Sequence, residues 1–246
     1  MKRLYLAWQD QTTRKWLPVG QLTQKGKRFH FSYTKGATHS DRFRPFGLMK
    51  NMSVVYESKE LFPLFTNRLM GKSRPEYNDY LKWLNLSQEN ASPLSILSIS
   101  SGTRKTDPLE LFPCPSPNEK NQYEVDFFSR GIRYLPAENQ KQIHKLKAGD
   151  RLFLLRDVQN PYDAKALLMR TDDPMSIAGY CPMYFNHDFN QLLDQNETVS
   201  VTVVRVNTDA PSQMRLLCKF QSTWPEGFIP CNQECFEPIP KDTSCH

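Results

Sequence analysis

The sequence has no long apolar run and too few apolar residues at its start for a secretion signal. No stretch approaches the ~20 apolar residues that a membrane-spanning helix needs. The apolar run before Gln9 and Asp10 has only five residues, Leu4 to Trp8, too few for the core of a signal peptide. We therefore expect a cytoplasmic protein that does not contact membranes.

Glycine is also scarce, and the catalytic motifs that depend on it are missing. None of the ten glycines belongs to a glycine-rich phosphate loop, and no His-Arg-Asp catalytic loop occurs. The histidines at 30, 39, 144 and 187 are scattered, without a cysteine or aspartate placed to form a nucleophile pair. These absences predict a protein that is not an enzyme and has no cofactor.

The six cysteines do not follow the pattern of a disulfide framework, and a cytosolic setting favours reduced thiols. Near the C-terminus, Cys231, Cys235, Cys245 and His246 offer four possible zinc ligands. Their spacing fits no common zinc module, so free thiols and no metal are expected.

The basic residues are concentrated in the first part of the chain. Residues 1–89 contain 16 lysines and arginines against 7 acidic residues, a net charge of +9, whereas residues 90–246 carry −3. The basic residues there alternate with aromatic ones, namely Trp16, Phe29, Phe31, Tyr33, Phe43 and Phe46. This pattern is typical of a surface that binds a nucleic acid, in which basic residues contact the polyanion and aromatic rings stack. It is equally typical of a sheet whose aromatic face is buried and whose basic face is solvated.

The first part of the chain is predicted to be a β-rich domain over residues 1–115. "RLYLAW", "KWLPVGQL", "RFHFSYT" and "SVVYES" are strand candidates, and "KELFPLFTNRLM" and "RPEYNDYLKWLNL" are helix candidates. Four prolines between Asp107 and Asn118 favour a linker after this domain. The opening "LYLAW", "VGQL", "FHFSYTKGA" and "LFPLFTNRLM" loosely resemble the N-terminal subdomain of HipA-type kinases, which implies a module that packs against a partner.

The second part predicts six short strands with one or two helices over residues 122–222, followed by a proline-rich tail over 223–246. The stretch "TVSVTVVRV" alternates with period two, so one face of its sheet is expected to be buried. Six short strands in about 100 residues favour a closed or half-closed barrel. The predicted fold class is mainly β with a few helices (α+β), in two small domains.

One turn in this second domain displays polar and aromatic side chains between two apolar strands. The stretch "QNPYDAKAL" begins with Asn160 and Pro161, which favour a turn, and it presents Tyr162 and Asp163. Together with "GIRYL", "GDRLFLLRDVQNPYDAKALLM" and "IAGYCP", it resembles the HIRAN domain. The resemblance implies an OB-like barrel that holds a single-stranded DNA end, with a preference for a free 3′ hydroxyl.

The resemblance also implies which residues bind. Arg133 and Tyr134 match an Arg-Tyr pair that holds a phosphate and the terminal nucleotides, and Asn160, Tyr162 and Asp163 match the pocket of the terminal nucleoside. A tyrosine face stacks on any base, and a carboxylate accepts a bond from a sugar hydroxyl but repels a terminal phosphate. Where a well-known relative has a histidine and lysines, this chain has Tyr180 to Met183, so a phosphate contact is replaced by possible stacking on Tyr180.

Two functions follow from the sequence. The first is a non-catalytic protein that recognises single-stranded DNA 3′ ends, as a subunit of a bacterial DNA-repair or defence assembly with a protein partner. The alternative is a regulatory subunit that docks a kinase-like or other partner through residues 1–115 and does not bind DNA ends. A 3′-end-processing enzyme is disfavoured, because no cluster of metal-binding carboxylates accompanies Asp163.

Overall fold

The computed structural model describes residues 3–195 and 198–239 and contains two antiparallel sheets. The strands are β1 (Arg3–Gln9), β2 (Trp16–Lys25), β3 (Arg28–Tyr33), β4 (Tyr56–Ser58), β5 (Leu109–Pro113), β6 (Gln122–Phe128), β7 (Arg151–Arg156), β8 (Leu167–Arg170), β9 (Ile177–Tyr180), β10 (Ser200–Val206) and β11 (Leu216–Thr223). The helices are α1 (Pro63–Thr66), α2 (Tyr77–Trp83), α3 (Pro93–Ser100), α4 (Ala137–Lys145) and α5 (Asn186–Gln195). Within the described ranges, none of these helices is long and apolar enough to cross a membrane. The predicted mainly β fold is confirmed.

The chain divides into two structural units, and their bounds differ from the predicted domains in two segments. Segment 72–91, predicted in the first domain, belongs to the second unit, and segment 231–239, predicted as part of the tail, belongs to the first. The first unit contains the described residues up to Gly71, Ser92–Cys114 and those from Cys231 on, and the second contains Lys72–Ala91 and Pro115–Pro230. Segment 72–91 carries α2, and in the second unit Asn207 donates its side-chain amide to the carbonyl of Trp83 at 3.0 Å. Segment 231–239 pairs with the end of β3, where the amide of Ile239 donates to the carbonyl of Tyr33 at 3.0 Å.

The first unit is built on a sheet with the strand order β4-β3-β2-β1-β5. Its aromatic residues fill the core, because Phe31 and Tyr33 are fully buried and Phe43 nearly so. The Tyr33 hydroxyl donates to the carbonyl of Met49 and accepts from the amide of Phe46, each at 2.7 Å. The aromatic side chains of the basic stretch thus form a core. Of the two interpretations of that stretch, the structure supports the buried aromatic face.

Two local predictions in this unit are wrong. The predicted helix over "KELFPLFTNRLM" is reduced to the four residues of α1, and the predicted linker contains β5, an edge strand paired with β1 from Leu4↔Pro113 to Trp8↔Leu109. Proline is tolerated on an edge strand because its missing amide faces away from the ladder. The apolar run "PLSILSIS" forms α3, with Ser92 capping its first turn by accepting from the amide of Ser95.

The second unit is a curled sheet with the strand order β6-β11-β10-β7-β8-β9, and it contains the six strands that the sequence predicted. Its two edges meet just beyond β6, where Arg130 and Tyr180 exchange backbone hydrogen bonds of 2.8 and 2.9 Å. Helix α5 lies over the inner face, with the Phe189 ring stacked on Phe220 at 3.8 Å between centroids. The predicted barrel is therefore confirmed as a curled half-barrel.

Gly179 makes the approach of the two edges possible. Its φ is +103°, and a Cβ at this position would lie 2.2 Å from Oγ of Ser129 and 2.6 Å from the carbonyl oxygen of Arg130. No side chain fits such a space, and the hydroxyl of Ser129 uses it to donate to the carbonyl of Ala178 at 2.7 Å. The backbone bridge between Arg130 and Tyr180 thus depends on a glycine at position 179.

We expect Gly179→Ala to lower the free energy of unfolding of this unit by about 2 to 5 kcal/mol, since it adds both backbone strain and a steric clash. Gly149→Ala is the matched control. Gly149 also has a positive φ, +92°, but a Cβ added there would have no other atom within 4 Å, so only about 1 to 2 kcal/mol of strain is expected. Urea denaturation followed by tryptophan fluorescence measures both values. Equal losses in the two variants would contradict the role of Gly179 in closing the sheet.

Candidate nucleic-acid interface

The turn between β7 and β8 is held by its own side chains. The side-chain oxygen of Asn160 accepts from the backbone amides of Tyr162 and Asp163 at 3.1 and 3.2 Å, which is the turn chemistry expected of asparagine. The amide of Ala166 donates to the carbonyl of Asp163 at 3.0 Å, and the amide of Asp157 donates to the carbonyl of Ala166 at 2.9 Å. The sequence Asn-Pro-Tyr-Asp therefore folds into a closed loop that projects Tyr162 outward.

The carboxylate of Asp163 is fixed from two sides. One oxygen accepts from the backbone amide of Lys165 at 2.9 Å, and the other accepts from the side-chain amide of Asn186 at 2.6 Å. Asn186 is buried at the start of α5. A carboxylate with two oxygens has about four lone-pair positions, so Asp163 keeps the capacity to accept a further hydrogen bond from a ligand hydroxyl.

Tyr180 ends β9 and bonds to the same turn. Its hydroxyl donates to Oδ2 of Asp157 at 2.9 Å, and that oxygen also accepts from the side-chain amide of Asn160 at 3.2 Å. Burial and the hydrogen bond to the negatively charged Asp157 raise the pKa of Tyr180. The ring lies close to the backbone of Gly131, where a Cβ would be 3.7 Å from Cδ2 of the tyrosine. Tyr180 thus connects the turn to the chain that follows β6.

Arg133 and Tyr134 lie on a short 3-10 helix, Ile132–Tyr134, that starts after Gly131. The guanidinium of Arg133 is 4.5 Å from the centre of the Tyr134 ring and donates to its hydroxyl. Both side chains are exposed. A cation on the face of a tyrosine restricts the ring and places a positive charge beside a stacking surface.

The structure connects four of the six predicted residues, since the amides of Tyr162 and Asp163 both donate to Asn160 and Tyr180 joins them through Asp157. Asn160 and Tyr180 share Asp157, while Asn160 and Asp163 share the turn, and Tyr162 projects from it. The Tyr180 ring lies beside Gly131, which precedes the 3-10 helix that carries Arg133 and Tyr134.

Two residues that organise this group were not singled out in the sequence. Asp157 had a weak signal, since an acidic residue three positions before Asn160 is typical of a turn that bonds to itself. Asn186 had none, because it lies 23 residues from Asp163 and meets it only through the fold.

The aromatic side chains of the chain separate sharply by exposure. All 29 phenylalanines, tyrosines and tryptophans lie within the described residues, and only Tyr134 and Tyr162 are exposed, at 75% and 59%. Tyrosine is enriched at interfaces, because its ring offers an apolar contact surface and its hydroxyl a polar end. Both exposed tyrosines belong to the group of residues around the β7–β8 turn.

Comparison with known proteins gives a match in this half of the chain. Residues 122–225 match the family model of the HIRAN domain. Over these residues the chain is similar to the HIRAN domain. The match runs from β6 to just after β11 and so contains the whole curled sheet. The prediction from "GIRYL", "QNPYDAKAL" and "IAGYCP" is therefore confirmed. The likeness of residues 1–115 to HipA-type kinases stays a prediction.

Two solved structures are similar to part of the chain. A protein from Lactobacillus plantarum has 21% sequence identity, with 41% of this chain and 96% of that chain covered and a TM-score of 0.33. The HIRAN domain of human HLTF has 17% identity, with 42% of this chain and 77% of that chain covered and a TM-score of 0.30. No curated protein matches the chain.

The two cysteines of the second unit have buried thiols. Cys181 and Cys218 are buried, and burial raises the pKa of both thiols. Across residues 3–195 and 198–239, no group of three or more potential metal ligands was found. Of the four possible zinc ligands near the C-terminus, Cys245 and His246 lie outside the described residues.

We expect Asp157→Asn to lower the pKa of Tyr180 toward that of a free tyrosine, because the charge that disfavours the tyrosinate is removed while burial remains. The tyrosinate at position 180 should then form at lower pH than in the wild type. Near-ultraviolet absorbance during a pH titration measures this, and Tyr180→Phe identifies the contribution of that residue. Superimposable titrations of Asp157→Asn and the wild type would contradict the role given to Asp157.

Proposed function

We propose that the HIRAN domain of this protein binds single-stranded DNA at its 3′ end, without catalysing a reaction. The observation that carries the proposal is the pair of exposed tyrosines. In a chain whose other aromatic residues are buried or half-buried, Tyr134 and Tyr162 present their rings to solvent. Stacking of a base on an aromatic ring contributes ~1 to 3 kcal/mol and does not depend on base identity.

The geometry of Asp163 supports a preference for a hydroxyl end. Its carboxylate is held by Lys165 and Asn186, so its position does not depend on a ligand. A 3′ hydroxyl can donate to the remaining lone pairs, whereas a terminal phosphate would bring two negative charges together. At about 4 Å this repulsion amounts to ~1 kcal/mol in water and ~4 kcal/mol at the effective dielectric constant of a protein surface.

Positive charge for the phosphates is available beside the tyrosines. The guanidinium of Arg133 lies over Tyr134, and the Lys165 ammonium donates to Nδ1 of His187 at 2.8 Å, next to Asp163. These groups are exposed or half-buried, so a phosphate can reach them. Each phosphate contact adds an attraction that weakens as salt is raised.

A wider role follows from the two units of the chain. We place the protein as a recruiting subunit of a bacterial DNA-repair or defence assembly, in which residues 1–115 bind a protein partner. The basic excess of residues 1–89 supports an acidic partner surface or the DNA backbone as the contact of that unit. The alternative function, partner docking through residues 1–115 without DNA binding, predicts that oligonucleotides do not bind at all.

The test is fluorescence anisotropy with single-stranded oligonucleotides that end in a 3′ hydroxyl or a 3′ phosphate. We expect the wild type to prefer the hydroxyl end and Tyr162→Ala to weaken both ends by about 1 to 3 kcal/mol, while Tyr162→Phe retains binding. Asp163→Asn should reduce the preference, because the repelling charge is gone.

Glu119→Gln is the control for Asp163→Asn, since it removes one negative charge from an exposed position in the turn before β6. It should leave the preference unchanged. Equal binding of both ends by the wild type, or none, would refute end recognition and favour the docking function.

A further inference from the structure

The outward face of β7, β8 and β9 has an unusual composition. Side chains that point inward from β7 and β8 are buried, namely Leu152, Leu167 and Met169. The side chains on the opposite face are Arg151, Phe153, Leu155, Leu168 and Arg170, and each is exposed or half-buried. An antiparallel sheet normally carries polar residues on its solvated face, so an aromatic and two leucines between arginines require an explanation.

Two guanidinium groups lie close to the ring of Phe153. Arg170 is its direct partner across the β7–β8 ladder, and the guanidinium carbon of Arg170 lies 4.9 Å from the centre of the ring. Arg151, two residues earlier on the same strand and therefore on the same face, lies 5.2 Å from the ring centre. An aromatic ring flanked by two guanidinium groups combines a stacking surface with two phosphate-binding groups.

This face is continuous with the turn that carries the proposed DNA end. The neighbouring row of the sheet is Leu155, Leu168 and Tyr180, which are paired directly across the three strands. Rows on one face are two residues apart, which corresponds to about 6.6 Å along a strand. Phe153 is therefore one row away from Tyr180.

The charges differ across the sheet. On the outward face of β6 and β11, Lys219 is neutralised by Glu124 at 2.6 Å and Asp126 at 3.9 Å. Arg151, by contrast, forms no ion pair with another described residue. Arg170 has one ion-pair partner among the described residues, the exposed Asp172 at 3.7 Å, and it also donates to the carbonyl of Thr171 at 2.8 Å. Two guanidinium groups that are only weakly neutralised or not neutralised thus lie beside Phe153, although residues 90–246 carry a net charge of −3.

We propose that Arg151, Phe153 and Arg170 form a second subsite, which takes the nucleotides on the 5′ side of the bound 3′ end. The subsite rests on the proposed function of the HIRAN turn. The bases stack on Phe153 or on the guanidinium planes, and the phosphates pair with Arg151 and Arg170. The two arginines add to the positive charge of Arg133 and Lys165 in a part of the chain whose net charge is negative.

The test compares oligonucleotides of about three and about twelve nucleotides with the same 3′ hydroxyl end, which spans the usual site sizes of single-strand-binding domains. We expect the wild type to bind the longer one more tightly. Phe153→Ala and Phe153→Leu should reduce the affinity for the longer oligonucleotide about tenfold and leave the shorter one unchanged. Phe153 is half-buried, and Phe153→Leu keeps an apolar side chain there, so a folding defect can be separated from loss of stacking.

The arginines are tested by salt dependence. Arg151→Gln with Arg170→Gln should lower the slope of log affinity against log salt by ~0.7 for each phosphate that is no longer neutralised, on the longer oligonucleotide only. Lys120→Gln with Lys141→Gln is the matched control. These exposed residues lie in the turn before β6 and on α4, so the same change in net charge should leave the slope unaltered.

The outcomes separate the two proposals. If the shorter oligonucleotide does not bind the wild type, the proposed function of the turn fails. If it binds but length adds no affinity, or if the Phe153 and arginine variants bind the longer one like the wild type, only the second subsite is refuted. If the control pair lowers the salt slope as much as the arginine pair, the contribution is net charge and the subsite is likewise refuted.

Discussion

The backbone bridge between Arg130 and Tyr180 is the interaction on which the second unit depends. It joins the chain just after β6 to the end of β9, which are the two outer strands of the six-stranded sheet. Two segments that are about 50 residues apart in the sequence thereby come within hydrogen-bonding distance. The bridge helps to position the segment with Arg133 and Tyr134, together with the buried side chain of Ile132 and the hydrogen bond from Asn139 to Ser176. Gly179 permits this backbone bridge. From the same place in the fold, the hydroxyl of Tyr180 donates to Asp157.

The site is built in layers from this bridge. The inner layer consists of hydrogen bonds made within the protein, such as those from Asn186 to Asp163 and from Asn160 to Asp157. The outer layer consists of Tyr134 and Tyr162, whose rings are free to stack. Because these hydrogen bonds form within the protein, the turn that carries Tyr162 is held in place without a ligand, which would reduce the ordering cost of the proposed binding.

The sequence predicted the second unit better than the first, for physical reasons. Period-two alternation in β10 and the turn chemistry around Asn160 are local signals, and both elements formed as expected. The strand β5 was hidden by the prolines around it, and its assignment depends on pairing with β1, about 100 residues earlier. The contact of Asn186 with Asp163 likewise exists only in the folded chain. Local pattern thus located the predicted residues, but not the partners that position them.

One carboxylate oxygen of Asp157 determines which part of Tyr180 a ligand can contact. Oδ2 already accepts from the tyrosine hydroxyl and from the Asn160 amide, so the polar end of Tyr180 is engaged within the protein. A base that approaches this residue meets a ring face and no available donor. Hydrogen bonds to base edges discriminate between the four bases, whereas ring faces do not. In the proposed complex with DNA, this internal hydrogen bond would make Tyr180 indifferent to nucleotide sequence.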